Sequence, residues 1–110
     1  MSKLFGADEL EDVVHARGRL NILAYLATVE FADFMTLVDE VNLAKGSVGQ
    51  HLKKLEDAGY VTLKRELLSN RTRTIVKLTR SGREALQQYL EKLQTLLGVV
   101  KAANRGKLEG

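Results

Sequence analysis

Ten lysines and arginines stand between positions 45 and 83, against only three acids, and they are grouped. Lys45, Lys53 and Lys54 flank the short polar side chains of Ser47 and Gln50, while Arg71, Arg73 and Lys77 fall on one parity of the run 71–77. Cations at this density neutralise phosphates, and hydroxyl and amide side chains of this size hydrogen-bond to base edges. The chemistry on offer is recognition of a polyanion.

Other chemistries find less support. The chain has no cysteine, which excludes disulfides, thiolate metal sites and thiol catalysis. Ser47 and His51 are four residues apart, as a nucleophile and its base could be on a helix. No third group orients the imidazole and no oxyanion donors are apparent, so no catalytic residue is expected. His15 follows Glu11 and Asp12 at helical spacing, but two histidines and surface acids make a poor ligand set. No metal and no cofactor are expected, and His15 reads as an ordinary histidine in a turn between the first two helices.

One hundred and ten residues, 45% hydrophobic and 28% charged, fit one globular domain with a modest core. The net charge of +3 hides a polarity. Residues 1–44 carry three Lys/Arg against eight acids, residues 45–83 ten against three, and residues 84–110 four against three. An acidic first third beside a segment with seven surplus positive charges is the electrostatic footprint of a polyanion partner. No run approaches the ~18 apolar residues of a membrane span, and the N-terminal stretch lacks a secretion-signal core, so a cytoplasmic protein without membrane contact is expected.

Periodicity supplies the elements that must position these groups. Asp8–Ala16 reads as a short helix with Leu10, Val13 and Val14 on its apolar side, and Arg17–Val29 as a core helix with Leu20, Leu23, Ala24 and Ala27 in its stripe, widened by Ile22 and Leu26. Asp33 can cap a helix Phe34–Val41. In a helix of about 45–58, Val48, Leu52 and Leu55 form the buried stripe, and Gly46, Ser47, Gln50, Lys53 and Lys54 lie opposite. Gly59 suits the left-handed stop. Strands Val61–Leu67 and Thr72–Leu78 follow, with a turn near Ser69-Asn70. Arg71, Arg73, Ile75 and Lys77 share one face of the second strand, and Lys64 and Arg65 point to opposite faces of the first. Thr79 is an N-cap for a last helix reaching about Ala102. Along it Leu86, Leu93 and Val100 recur every seven residues, as do Tyr89/Leu90 with Leu96/Leu97. That stripe is longer than a domain of this size can cover, and it asks for a partner helix.

The order helix, helix, helix, basic hairpin, long helix resembles the winged helix-turn-helix of MarR- and ArsR-like transcriptional regulators, and more closely their small single-domain relatives. The residues carrying the resemblance are His51 through Tyr60 (HLKKLEDAGY), Arg73-Thr74 through Leu78-Thr79 to Gly82-Arg83, and upstream RLNILAYL and ADFMTLVDEV. The similarity spans about residues 15–90. Ala44 stands where such regulators usually have a Ser or Thr cap, and Gly49 where they have Ser, so the first turn of helix 45–58 is expected to be frayed without DNA.

The expectation is therefore an α+β, mostly α winged helix with a β-hairpin wing and a long C-terminal dimerisation helix. A single domain would occupy 8–110, with helices and wing over 8–78, the dimer helix over 79–103, and flexible termini at 1–7 and 104–110. As the resemblance implies, it would be a homodimeric regulator binding double-stranded DNA, with helix 45–58 in the major groove and wing 67–73 near the minor groove. Lys45, Lys53 and Lys54 would meet phosphates, Ser47 and Gln50 base edges, and Arg71 the minor groove. Arg73 and Lys77 would run along the adjacent backbone, and His51 would flank the helix face against a phosphate or the wing. Leu86, Tyr89, Leu90, Leu93, Leu96, Leu97 and Val100 would form the dimer interface. Similar regulators often hold an effector between dimer helix and DNA-binding lobe, but no residue names one. The alternative is a protein-interaction winged helix that docks a partner chain through the heptad helix. Grouped wing cations argue against it.

Overall fold

The computed structural model describes the backbone of residues 7–109 and the side chains of residues 17–107. Four helices and three strands follow in the order α1 (Ala7–Leu26), β1 (Ala32–Asp33), α2 (Phe34–Val41), α3 (Lys45–Asp57), β2 (Val61–Leu67), β3 (Thr72–Leu78) and α4 (Arg80–Glu109). The sheet is antiparallel in the order β1-β3-β2, with Val61 opposite Leu78 and Leu67 opposite Thr72.

One core joins all of these elements. Ile22 and Leu26 of α1, Leu37 of α2, Val48, Leu52 and Leu55 of α3, Val61, Val76 and Leu78 of the sheet, and Leu86 of α4 are buried together. Alternation along β3 explains the sheet's share, since Val76 and Leu78 face the helices while Lys77 stays in water.

Several local signals act as expected. Gly59 ends α3 at φ 80°, where a side chain would be strained, and the amide of Tyr60 reaches back to the Leu55 carbonyl at 2.9 Å. Asp33 caps α2 by accepting from the Met35 amide at 2.8 Å. The Thr79 hydroxyl accepts from the Gly82 amide at 3.0 Å, capping α4, and donates to the Gly59 carbonyl at 2.7 Å. One side chain thus ties the exit of α3 to the start of α4.

Other expectations are corrected. The two helices read over Asp8–Ala16 and Arg17–Val29 are one, α1, so His15 lies within a helix rather than a turn. Nothing between them, neither proline nor a capping residue, breaks the ladder. The apolar face of Leu10, Val13 and Val14, the metal-ligand potential of His15 and the order of residues 1–6 lie outside what is described. Ala24 is exposed, because the buried stripe of α1 is centred on Ile22 and Leu26. Helix α3 begins at Lys45 although Ala44 makes no side-chain cap, and the Val48 side chain beneath its first turn is fully buried. Burial of that stripe offsets a missing cap worth about 1 kcal/mol. The last helix continues past Ala102 to Glu109, so the expected loose tail from Asn104 is helical. Sequence periodicity also missed β1, whose two residues pair with Val76 and Ile75.

The cap geometry at Thr79 yields a stability prediction. Thr79→Val should lower unfolding free energy by about 1–2 kcal/mol, seen as an earlier urea midpoint, and Thr79→Ser should stay close to the parent. An unchanged midpoint for the valine variant would contradict the double role of the hydroxyl.

Candidate nucleic-acid interface

Helix α3 is divided sharply by burial. Val48, Leu52 and Leu55 are at most 3% exposed, and His51 joins them at 9%. Lys45, Gly46, Ser47, Gln50, Lys53 and Lys54 are all exposed. The five side chains expected on the open face are therefore there, and Gly46 and Gly49 leave a shallow depression between Gln50 and the two lysines. Lys53 comes within 4.0 Å of Asp57 one turn on, an exposed pair that screening keeps weak.

His51 is corrected. Its ring packs against Gly18 of α1, so closely that a Cβ at position 18 would stand 2.5 Å from Nε2, while the residue also borders the depression beside Gln50. The structure shows it largely buried, where the sequence suggested an open flank of the helix. Sequence spacing puts His51 on the flank of the helix face, and only the glycine on a distant helix reveals the space that receives it.

The β2–β3 hairpin carries the second group of cations. Its tip is closed by a hydrogen bond from the Leu68 amide to the Arg71 carbonyl at 2.7 Å, around the expected Ser69-Asn70 turn. Arg71 is exposed at this tip, and Lys77 is exposed nearer the base, opposite Thr62. Arg73 differs from both. It is directly opposite Glu66, its Nη2 donates to Glu66 Oε1 at 3.1 Å, and its Nε is buried without a hydrogen-bond partner. Much of its charge is therefore met within the hairpin. Lys64 and Arg65 point to opposite faces as expected, with Arg65 on the side of the first turn of α2.

The residues read as a dimer stripe separate into two groups. Leu86 is 6% exposed and belongs to the subunit's own core, which corrects its assignment to an interface. Leu93 is half-buried. Tyr89, Leu90, Leu96, Leu97 and Val100 are open to solvent, and Val99, not anticipated, is 62% exposed. A heptad pattern does not say which of its members the subunit itself consumes. Beside the start of this stripe, a cavity of about 380 Å³ lies between α1, α3 and α4, walled by Leu20, Leu23, Leu55, Leu86 and Tyr89 with Arg19 and Lys54 at its edge.

Among the described residues, no group of three or more His, Cys, Asp or Glu could hold a metal ion, and no helix is long and apolar enough to cross a membrane.

Comparison with known proteins agrees with this arrangement. Residues 19–97 match the winged-helix DNA-binding domain family. The chain is 38% identical over 78 residues to an uncharacterised protein of Methanocaldococcus jannaschii, covering 71% of this chain and 85% of that protein. It is 35% identical over 72 residues to YdgJ of Bacillus subtilis, an uncharacterised HTH-type transcriptional regulator, covering 66% of this chain and 43% of that longer protein. Its fold is similar to that of a transcriptional regulator homologue from Pyrococcus horikoshii, with TM-score 0.69 and 24% identity over 84% of this chain and 97% of the other.

The packing of His51 on Gly18 predicts opposite signs for two glycine substitutions. Gly18→Ala should destabilise by about 1–3 kcal/mol through overpacking, and removing the ring with His51→Ala in the same chain should offset part of that loss. Gly49→Ala, where an added Cβ meets nothing in the protein, should instead stabilise by up to about 1 kcal/mol. Denaturant midpoints that move the same way for both would contradict the close approach.

Proposed function

Because this chain belongs to the winged-helix DNA-binding family of transcriptional regulators, we propose that it binds a specific duplex site as a homodimer. The observation that carries this reading is the division of α3. Its apolar stripe is consumed by the core, leaving Ser47 and Gln50 open between Lys45, Lys53 and Lys54. In this reading α3 enters the major groove, Ser47 and Gln50 meet base edges, and the lysines meet phosphates. The wing lies near a minor groove, where Arg71 at the exposed tip is drawn by enhanced negative potential. Lys77 follows the adjacent backbone. Arg73 contributes there with the part of its charge that Glu66 leaves unmet.

The exposed apolar stripe of α4 supports the two-fold assembly. Tyr89, Leu90, Leu96, Leu97, Val99 and Val100 extend along a helix of 30 residues, about 45 Å, much of which the lobe does not cover. Pairing of two such helices would leave two copies of α3 to read a pseudo-palindrome, with half-sites about one helical turn or more apart. Neutralising 6–10 phosphates would make affinity fall ~10³–10⁵-fold between 50 and 200 mM salt.

Two variants test the parts separately. Leu97→Glu should shift the mass measured by light scattering from dimer to monomer and weaken duplex binding with it. Arg71→Gln should leave the dimer intact and weaken binding about tenfold, read by fluorescence anisotropy. A dimer whose duplex affinity ignores Arg71→Gln would point instead to a module that docks protein.

A further inference from the structure

A second basic site lies away from the open face of α3 and adjoins the wing tip through Arg71. Between the first turn of α2 and the distal half of the wing is a cleft of about 380 Å³, bounded by residues 33–36 on one side and by Arg65, Arg71 and Arg73 on the other. Strand register builds it. Asp33 pairs with Ile75, which holds the start of α2 beside β3, and Arg65 stands opposite Thr74, one same-face step beyond the Leu63–Val76 rung. Arg65 thus continues the sheet's core-facing side past the point where the core ends, and reaches water over the start of α2.

The charges in the cleft do not cancel. Three arginines meet two carboxylates there: Glu66 is paired with Arg73, and Asp33 keeps its negative charge while accepting from the Met35 amide. Arg65 and Arg71 form no ion pair among the described residues. The carboxylate of Asp33 caps the start of α2 and answers the positive end of its dipole, so the attraction for an anion comes from the arginines of the wing. The buried Nε of Arg73, a donor without an acceptor, is on a residue of the same wall.

We propose that this cleft seats one phosphate of the duplex backbone, with Arg65 as its principal cation and the Arg73–Glu66 pair as the brace that shapes it. This rests on the DNA-binding reading and adds a contact to it. Helix α2 leads directly into α3, and the wing follows α3, so the cleft is built by the elements on either chain side of the groove-entering helix. An arginine fork matches the geometry of a phosphodiester and keeps its charge at any working pH.

The test is the salt dependence of binding to a mixed-sequence duplex of about 30 base pairs, followed by anisotropy between about 50 and 200 mM KCl. For Arg65→Gln, the slope of log affinity against log salt should become shallower by about one, the release associated with one phosphate, and affinity should drop about five- to tenfold at 100 mM. Arg65→Lys should recover most of the slope. Lys92→Gln, on the exposed flank of α4, should match the parent. A steep parental slope that Arg65→Gln leaves unchanged would overturn the phosphate seat while sparing the DNA reading. A parent that binds no duplex would overturn both. Saturable binding of inorganic phosphate in the cleft, with no change in duplex slope on Arg65→Gln, would make a free anion the occupant and overturn the proposal as well.

Discussion

Burial of one stripe of α3 against α1 and the sheet governs everything that the molecule presents to a partner. Val48, His51, Leu52 and Leu55 are drawn into the core, and the His51 ring packs directly on Gly18. A helix has one rotation about its axis, so fixing those four residues also fixes where Ser47, Gln50, Lys53 and Lys54 point. The helix tolerates two glycines and an uncapped start because several kcal/mol of apolar burial outweigh about 1 kcal/mol for each local defect. Tertiary packing, more than intrinsic propensity, holds α3 in place.

The wing follows a similar logic with charge in place of apolar surface. Its cations are sorted by strand parity and by the one acid available to them. Glu66 takes Arg73 directly across the hairpin, which pins that side chain and leaves Arg65 and Arg71 without a partner among the described residues. A single carboxylate thereby divides three arginines into one that braces the hairpin and two whose charge remains open. The Thr79 hydroxyl then joins the end of α3 to the start of α4, so the wing, the long helix and α3 meet at one small junction.

Local chemistry made much of this architecture legible in the sequence. The Asp33 and Thr79 caps, the Gly59 stop, both long strands and the open face of α3 each follow from residues within a few positions of one another. The failures share a physical cause, since each depends on a distant neighbour. His51 is buried because Gly18 lies opposite it, Leu86 belongs to the core because α1 and α3 reach it, and β1 exists only because β3 offers an edge to two residues too few to show a pattern. Likewise, the cleft at the start of α2 comes from register between strands far apart in the chain. Read from the strand alone, Lys64 and Arg65 alternate in face, so at most one of them is expected to meet DNA directly, and the strand does not say which.

The central claim is that the open face of α3 and the wing together read duplex DNA in two-fold fashion. Selection of binding sites from a random duplex library by the full chain addresses it most directly, with the enriched sequences then titrated against salt. The account predicts an enriched pseudo-palindrome with half-sites about one helical turn or more apart, bound with steep salt dependence. A library that yields no enriched sequence, or one bound with an affinity indifferent to salt, would contradict it.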